Sequence, residues 1–330
     1  MFAQLMFSTR SLRHVRHVPF SSRVVAAIGD PLPRLPEHGD CIYLDYQATT
    51  PVWPEVAAAA TPYLTHHWGN PSSDHAFGWP CARAVSKARH SVAQLIGAKD
   101  DEILFVSCGS EADNHAIVGA VEAEEARRRG AVASGTSLPH IVTSNVEHPA
   151  VEACIEALRE AGRVEVSYVP VDSEGRLTAG TVCDALREST VLVSIMHANN
   201  EVGSLQPLGE IADAVRACHP RALIHSDAAQ SVGKVTLDLR DELRNVDLLT
   251  VVGHKIGAPK GVGALYIRDG VGLPKLLHGG GQEAGRRAGT ECVVLQVRKP
   301  TRAIPHLLVI IRTCNSTPST DSPHVQFHTF

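Results

Sequence analysis

The pattern of apolar and polar positions changes near residue 100 and then alternates between two kinds of segment. Short apolar runs are predicted to be strands, and they lie at Ile103–Val106, His140–Thr143, Val164–Val169, Val191–Met196, Leu223–His225, Leu248–Val252 and Val262–Ile267. Helical patterns separate several of them, at Gly109–Ala126, Pro149–Leu158, Thr181–Leu186 and Ile211–Cys218. Strands that alternate with helices predict an α/β fold with a mainly parallel sheet covered on both faces.

The segment before the first predicted strand is helical in composition. Trp53–Leu64 and Trp79–Leu95 are predicted helices, and Gly69-Asn70-Pro71-Ser72-Ser73 between them is a strong turn signal. Arg127–Ser137, which is basic and rich in small residues, is predicted to be a loop. Pro31–Asp40 is a proline-containing linker that precedes the folded part.

Composition narrows the class of protein. The 330 residues are 44% hydrophobic and 20% charged, with a formal net charge of −4, so no global basic surface favours nucleic acid as a partner. No apolar stretch is long enough to span a bilayer, and we expect no membrane partner. The eight cysteines are scattered without a Cys-x-x-Cys pair, which indicates a reducing compartment and neither a disulfide framework nor a metal site.

Residues 1–40 have a composition of their own. Arginine and serine recur there, no acidic residue precedes Asp30, and apolar residues could line one helical face. These are features of an organelle transit peptide, and the alternative is an uncleaved tail. We expect a mitochondrial location, with plastid or cytoplasm as alternatives, and place residues 1–40 outside the folded domain.

Polar side chains follow five of the predicted strands at the points where those strands end. They are Ser110 and Glu111, His148, Asn199 and Asn200, Asp227, and His254 and Lys255. In open sheets of this kind, ligands bind beyond the carboxyl ends of the strands. One polar residue after a strand is ordinary loop composition, whereas five successive strand ends favour a shared ligand site.

The turn between the last two predicted strands carries a candidate nucleophile. Lys255 lies between the buried runs Leu248–Val252 and Val262–Ile267, with several glycines around it. Desolvation lowers the pKa of a lysine and makes its amine nucleophilic toward a carbonyl, which is the chemistry of a Schiff-base lysine. An isolated lysine in such a turn is more often an ordinary surface residue.

The other strand-end residues each admit a plain interpretation and a functional one. Gly109 and Ser110 open a helix, so they suit a phosphate or form a simple N-cap. Asp227 could pair with a cationic ring nitrogen or cap a helix, and His148 could stack on a planar ring or cap a loop. Taken with Lys255, they predict a site for pyridoxal 5'-phosphate, which needs a lysine, a carboxylate and a phosphate cradle.

These residues also carry a resemblance, over about residues 41–296, to class V aminotransferase-type enzymes, close to the NifS-like cysteine desulfurases and selenocysteine lyases. The matching motifs, in chain order, are Tyr43–Pro51, Gly69–Ser73, Gly109–Asn114, Glu147–Ala150, Ala198–Glu201, His225–Gln230, Gly253–Lys255, Gly279–Glu283 and Arg287–Thr290. The resemblance implies the large domain of a fold-type-I pyridoxal-phosphate enzyme, with a mainly parallel seven-stranded sheet.

The resemblance also implies a role for individual residues. Lys255 would hold the cofactor covalently, Asp227 would bind its ring nitrogen, and His148 would stack on its ring. The remaining implied contacts are Asn200 and Gln230 at the ring oxygen and substrate, Gly109, Ser110 and His254 at the phosphate, and Thr290 at the phosphate of a partner subunit's cofactor in a homodimer. Some relatives have a phosphate-binding serine where Val252 stands, and valine cannot make that bond.

The resemblance stops after Gln296, and the stretch 297–330 diverges into an apolar run and a Ser/Thr/Pro-rich tail. Related enzymes continue into a small domain with a Gly-Ser-Ala-Cys loop, whose cysteine receives sulfur, so we expect most of that domain to be missing here. Cys314 does not match the loop, and Cys108 and Cys292 are unproven substitutes. We expect a poorly ordered tail.

The implied function is removal of sulfur from L-cysteine to give L-alanine and a protein-bound persulfide, with a sulfur-acceptor or scaffold protein as a partner. The alternatives are a selenocysteine lyase acting on L-selenocysteine and a non-catalytic subunit that binds pyridoxal phosphate or dimerises. A nucleotide-binding dehydrogenase is weaker, because no Gly-x-Gly-x-x-Gly follows the first predicted strand.

Overall fold

A computed structural model of the chain describes residues 44–130 and 137–297. It contains a seven-stranded sheet, which confirms the predicted number of strands. The strands are β1 Ile103–Val106, β2 His140–Ser144, β3 Glu165–Val169, β4 Thr190–Ser194, β5 Leu223–Asp227, β6 Leu248–Val252 and β7 Gly263–Ile267. The helices are α1 Pro54–Ala60, α2 Pro62–Thr65, α3 Gly78–Ile96, α4 Gly109–Arg129, α5 Pro149–Glu160, α6 Ala179–Asp184, α7 Leu208–Cys218 and α8 Val293–Gln296.

The strands lie in the order β1-β7-β6-β5-β4-β2-β3 across the sheet. The pairs β2/β3, β2/β4, β4/β5 and β5/β6 are parallel. Strand β7 runs antiparallel to both of its neighbours, β6 and β1. Strand β1 therefore points the same way as β2 to β6, and six carboxyl ends meet at one edge of the sheet.

Successive residues of the strands pack against helices on opposite faces of the sheet. In β1, Phe105 belongs to the apolar cluster that includes residues of α3 and α7. Its neighbours Leu104 and Val106 belong to the cluster formed with Ala112 and Ala116 of α4. The side-chain period of two in a strand explains this division, and it confirms a sheet that is covered on both faces.

Two predicted boundaries are wrong for identifiable reasons. The helix expected over Trp53–Leu64 is interrupted at Thr61, and Pro62, which has no backbone N–H to donate, opens α2. The loop expected over Arg127–Ser137 begins too early, because α4 continues to Arg129. Glu124 explains the extension, since it pairs with Arg127 and Arg128 one turn later, each at 2.6 Å.

Several expectations fall outside the described residues. They concern the transit segment at residues 1–40, the tail after residue 297 with Cys314, and residues 131–136 of the predicted loop. Among the helices that the structure does describe, none combines the length and the apolar character needed to cross a membrane.

Candidate functional site

The lysine turn lies directly beyond β6 and is held by a neighbouring segment of the chain. Gly253–Lys255 forms a single 3₁₀ turn. The Thr50 hydroxyl donates to the carbonyl oxygen of His254 at 2.9 Å and accepts from the N–H of Gly257 at 2.9 Å. Gly257 has a φ of +79°, and a Cβ there would lie 2.3 Å from the indole of Trp53. The backbone of the turn is therefore fixed by Thr50 and Trp53 and tolerates no side chain at residue 257.

The amine of Lys255 is partly buried, and its surroundings shift its pKa in opposite directions. Burial lowers the pKa of Lys255, and the negative charges of Asp227 and Asp113 oppose that change. A lysine with a lowered pKa has a larger neutral fraction at neutral pH, and the neutral amine is the nucleophile. The structure thus supplies the desolvation that the sequence reasoning required of this residue.

Asp227 ends β5 with one carboxylate oxygen engaged and the other available. Its Oδ1 accepts a hydrogen bond from the N–H of Ala229 at 2.8 Å, while Oδ2 accepts none from the residues that the structure describes. Burial raises the pKa of Asp227, and the Ala229 hydrogen bond and the charges of Lys255 and His148 act in the opposite direction. A cationic ring nitrogen at Oδ2 would favour the ionised carboxylate in the same way.

His148 is fixed as the N-cap of α5. Its Nδ1 accepts a hydrogen bond from the N–H of Ala150 at 3.1 Å, so a neutral His148 carries its proton on Nε2. Glu147, which the sequence reasoning did not select, anchors the same loop by accepting from the Ser144 hydroxyl and from the N–H of Met196 at 3.0 Å. Burial raises the pKa of Glu147 to about 8, which makes it a neutral anchor at neutral pH.

The start of α4 provides the candidate phosphate site. Gly109 and Ser110 open a helix of 21 residues, and Ser110 is exposed. A Cβ on Gly109 would lie 2.7 Å from Cγ2 of Val252, so the helix start packs against the end of β6, next to the lysine turn. Free N–H groups and the positive end of the helix dipole favour an anion here. Val252 is buried and offers no hydroxyl to that anion.

Glu111 ties the start of α4 to a distant loop. Its carboxylate is paired with the guanidinium of Arg287 at 2.5 Å and accepts from the N–H of Ser107 at 2.7 Å. Burial would raise the pKa of Glu111, but the hydrogen bonds from Arg287 and Ser107 outweigh it and hold that pKa below the usual value. Glu111 is therefore ionised and engaged, which leaves the anion site at the backbone of Gly109 and Ser110.

The two predicted amide residues occupy different environments. Gln230 is held at both ends, since its Nε2 donates to the Gln47 carbonyl at 2.9 Å and its Oε1 accepts from Lys234 Nζ at 2.8 Å. Asn200 donates to Oε1 of Glu201 at 2.9 Å, which is its hydrogen bond within the described residues, so the structure does not link it to the other predicted site residues.

His254 and Thr290 complete the set predicted from the sequence. His254 Nδ1 lies 3.1 Å from the Thr49 hydroxyl, and burial and then the charges of Lys255 and Lys260 lower the pKa of His254. Thr290 is exposed, in a loop whose Gly289 N–H donates to Gln282 Oε1 at 3.1 Å. His254 lies within the lysine turn, beside Thr49, and Thr290 lies exposed on the surface.

The loop before Thr290 is anchored by a buried ion pair. Glu283 is buried and pairs with Arg89 through bonds of 2.7 and 2.9 Å, and it also accepts from the N–H of Phe105 at 2.9 Å. Glu283 and Ala284 have φ values of +50° and +55°, in the left-handed region. Such residues are strained by roughly 1–3 kcal/mol each and persist where their surroundings hold them. The Arg89 pair supplies that restraint.

A second buried layer lies behind Asp227, and sequence reasoning did not select it. Asp113 of α4 is 1% exposed and lies 3.6 Å from Nε2 of His225. Burial and the charge of Asp227 raise the pKa of Asp113 well above its usual range, while burial lowers the pKa of His225 to about 3. A pKa of about 3 leaves His225 uncharged at neutral pH, and the negative charge of Asp227 disfavours ionisation of Asp113. The sequence signal that could have identified Asp113 is an acidic residue among the apolar residues of one face of α4.

A cavity of about 580 Å³ lies away from these residues. It is lined by the C-terminal half of α4 and by the starts of β4 and β5, including Arg128, Thr190 and Leu223. The amino ends of the parallel strands lie there, opposite the edge that carries Lys255 and Asp227. Neither Lys255 nor Asp227 lines this cavity. We therefore place the functional site at the edge of the sheet where the parallel strands have their carboxyl ends, because ligands of open sheets bind there.

The residues at the carboxyl edge fit pyridoxal phosphate. The site offers an amine with a lowered pKa on Lys255, a free carboxylate oxygen on Asp227 and an open helix start at Gly109 and Ser110. A cofactor with an aldehyde, a basic ring nitrogen and a phosphate needs these three groups. The fit rests on the side chains and does not depend on the neighbouring Asn200 or Thr290.

Comparison with known proteins gives a consistent result. Residues 42–296 match the family model for class V aminotransferases. A cysteine desulfurase of Nostoc sp. is 47% identical over 252 residues, which cover 76% of this chain and 59% of the relative. The solved structure of a NifS-like protein superposes with a TM-score of 0.72 at 37% identity, covering 78% of this chain and 67% of the other. A structure of SspA in complex with cysteine has a TM-score of 0.71 at 36% identity, covering 78% and 70%.

The chain spans about three fifths of the length of the curated relatives that it matches, with 59% of the Nostoc protein covered. The matched part includes each of the elements from α1 to α8. The comparisons therefore concern the domain that carries Lys255 and Asp227.

Proposed function

The chain belongs to the class V aminotransferase family, and from that premise we propose that it takes part in cysteine desulfuration at the Lys255 site. Members of this family use pyridoxal 5'-phosphate. The observation that carries the proposal is the position of Lys255, whose pKa is lowered by burial and which lies within electrostatic reach of Asp227. The cysteine desulfurases among the relatives support L-cysteine as the substrate.

Each side chain of the site has a defined task in this proposal. Bound pyridoxal phosphate supplies an electron sink that stabilises negative charge on the substrate α-carbon. Lys255 holds the cofactor through Nζ, Asp227 holds its ring nitrogen through Oδ2, and the N–H groups of Gly109 and Ser110 hold its phosphate. The Lys255 amine would also move a proton at the substrate α-carbon, because its lowered pKa increases the fraction of neutral amine.

The Nε2 side of the His148 imidazole can contact a ligand. Because Nδ1 accepts from Ala150, Nε2 carries the proton and can donate toward the substrate or the ring system. The neutral Glu147 and the capped start of α5 keep the imidazole in this orientation. His148 would orient the substrate and exclude water, while Lys255 would move the proton at the substrate α-carbon.

The overall reaction needs a thiol that accepts the sulfur. L-Cysteine and an acceptor thiol give L-alanine and a persulfide, so the acceptor S–H supplies the hydrogen and the C–S bond of cysteine is replaced by an S–S bond on the acceptor. Among the described cysteines, Cys108 lies nearest to the phosphate site in sequence, where it is half-buried at the N-cap of α4. We propose that the acceptor is a thiol outside the described residues or on a partner protein.

The proposal is tested with purified protein in three steps. Addition of pyridoxal 5'-phosphate to the wild type should give a visible absorption band, Lys255→Ala should abolish it, and Lys87→Ala, a change at an exposed position on α3, should retain it. Incubation of the wild type with L-cysteine and dithiothreitol should then produce L-alanine. A colourless wild type refutes the cofactor site, and a coloured protein that forms no L-alanine refutes the desulfurase assignment. A parallel assay with L-selenocysteine measures the alternative substrate.

We further propose that the chain forms a homodimer in which the exposed Thr290 reaches the partner's phosphate site. The exposure of Thr290 and of large apolar side chains such as Trp68, which is 68% exposed, supports a covered surface. Sedimentation equilibrium should give twice the monomer mass, and a monomer at micromolar concentration would reject the dimer.

A mitochondrial location is proposed from the composition of residues 1–40, which lie outside the described residues. A fusion of those residues to a fluorescent protein should enter mitochondria. A diffuse cytoplasmic signal or a plastid signal would reject that location.

A further inference from the structure

A second lysine lies close to the Lys255 site and had no role in the sequence reasoning. Lys234 follows β5 by seven residues and is half-buried. Its Nζ donates to Oε1 of Gln230 at 2.8 Å, and the charge of Lys255 acts on it directly. Within the described residues the hydrogen-bond partner of its ammonium group is an amide oxygen, so the contact with Gln230 is what this lysine provides.

The contact with Lys234 fixes the orientation of the Gln230 amide. Oε1 faces the ammonium group and Nε2 faces the carbonyl oxygen of Gln47 at 2.9 Å. A flipped amide would set its NH₂ group against the ammonium and its oxygen against the Gln47 carbonyl, so both contacts would be lost. The second N–H of Nε2 is left to donate to a ligand, which is the role that the sequence predicted for Gln230.

Lys234 also places positive charge near Lys255. Burial and then the charge of Lys255 lower the pKa of Lys234 to about 8, so Lys234 is mostly charged at neutral pH. Because the repulsion between two charges is mutual, a charged Lys234 must also disfavour a proton on Lys255.

The other titratable groups around this turn act in both directions. They are Asp113 of α4, His148 at the start of α5, Asp227 at the end of β5, and His254 and Lys260 in the turn after β6. The two carboxyl groups favour a charged Lys255, and Lys234 opposes them from the segment after β5.

We propose that Lys234 is a positioning residue of the Lys255 site, which orients the Gln230 side-chain amide and sets a second positive charge near the Lys255 amine. The relevance to catalysis rests on the proposed function, whereas the two physical effects belong to the chain itself. A lysine kept there only for packing would fill space without changing the protonation of Lys255.

The protonation of Lys255 can be measured in the cofactor-free protein. The rate of Lys255 acetylation by acetic anhydride, followed by mass spectrometry across pH 6–11, gives the midpoint at which the amine becomes reactive. The variants are Lys234→Met, which removes charge and donor; Lys234→Gln, which keeps a neutral donor; Lys234→Arg, which keeps the charge; and Lys87→Met, a matched change on exposed α3. Circular dichroism verifies that each variant is folded.

The charge effect predicts a specific pattern of midpoints. Removal of a nearby positive charge raises the pKa of an amine, because the protonated amine is then repelled less. The Lys255 midpoint should therefore rise by roughly half a pH unit in Lys234→Met and Lys234→Gln, and it should stay at the wild-type value in Lys234→Arg and Lys87→Met. Equal midpoints in all folded variants would overturn the charge effect.

The orientation effect is measured by cofactor titration. Pyridoxal 5'-phosphate should bind about fivefold more weakly to Lys234→Met than to Lys234→Gln, because only the glutamine keeps a donor for Gln230. Equal affinities would overturn the orienting role. If the wild type binds no pyridoxal phosphate, the proposed function fails, and the acetylation midpoints still decide whether Lys234 acts on Lys255.

Discussion

Replacement of Gly109 by alanine tests whether the start of α4 depends on close contact with β6. A Cβ on Gly109 would lie 2.7 Å from Cγ2 of Val252. Carbon atoms in favourable contact are about 3.5–4.0 Å apart, so the helix start must move by roughly 1 Å. Val252 is buried, which prevents its methyl group from simply turning away.

The expected magnitude follows from two opposing terms. Overpacking of this kind destabilises by about 1–3 kcal/mol, and the better helix propensity of alanine returns up to about 1 kcal/mol. We expect Gly109→Ala to lower the free energy of unfolding by about 1–2 kcal/mol. Val252→Ala removes two carbon atoms from a buried site and should lower it by about 2 kcal/mol.

The double variant distinguishes a steric clash from other causes. Val252→Ala removes the atom that Gly109→Ala would meet, so the double variant should be more stable than the sum of the single changes by about 1–2 kcal/mol. Urea denaturation followed by circular dichroism measures the four proteins, and pyridoxal phosphate titration shows whether the helix start regains its position. Gly180→Ala, in α6 with its nearest atom 3.8 Å from the new Cβ, serves as the control and should be neutral or slightly stabilising. Additive effects of the two changes would refute the contact argument.

Three further predictions concern the neighbouring contacts. Glu147→Gln should flatten the pH dependence of stability. Burial raises the pKa of Glu147 to about 8, so the wild type loses unfolding free energy as the pH rises from about 4.5 to 8, by up to about 1.4 kcal/mol per pH unit. Urea titrations across this pH range measure the slope, and an unchanged slope in the variant would contradict the prediction. Glu283→Ala leaves Arg89 and the Phe105 N–H without their carboxylate and should lower the unfolding free energy by about 3 kcal/mol, against little change for Glu160→Ala at an exposed position of α5; equal effects of the two would argue against the buried pair. Thr50→Val removes the two hydrogen bonds of the Thr50 hydroxyl and keeps the bond from the Thr50 N–H to the His254 carbonyl; it should lower the unfolding free energy by about 1–3 kcal/mol in thermal and urea denaturation, and wild-type stability would show that the turn does not need the hydroxyl.

Some features of the fold and of the site could be predicted from the sequence because they depend on residues that are close together in the chain. The strand at Ile103–Val106 was predicted with its observed limits, since apolar runs between turn residues report burial directly. The end of α3 was predicted at Leu95, one residue before the observed end at Ile96, where Gly97 takes a φ of +70° at the C-cap. Lys255 and Asp227 were chosen because both follow buried strands, and parallel topology gathers such ends.

Other features depend on contacts between segments far apart in the chain, which composition does not encode. Gln230 meets the Gln47 carbonyl across 183 positions, and Arg89 meets Glu283 across 194 positions. The layer of Asp113 and His225 requires knowledge of which face of α4 is buried against β5. The ligand contact expected of Asn200 stays a prediction, and its side chain donates to the adjacent Glu201.

The antiparallel strand β7 has a consequence for when the site can form during synthesis. Strand β1 pairs with β7 alone, with Ile103 beside Tyr266, so the edge of the sheet that precedes α4 has no strand partner until residue 267 has been translated. A ribosome that adds roughly 5–20 residues per second needs about ten to thirty seconds to cover that interval. Residues 45–252 therefore leave the ribosome without the strand that fixes β1. A nascent chain halted before Gly263 should therefore be unable to retain pyridoxal phosphate at the start of α4.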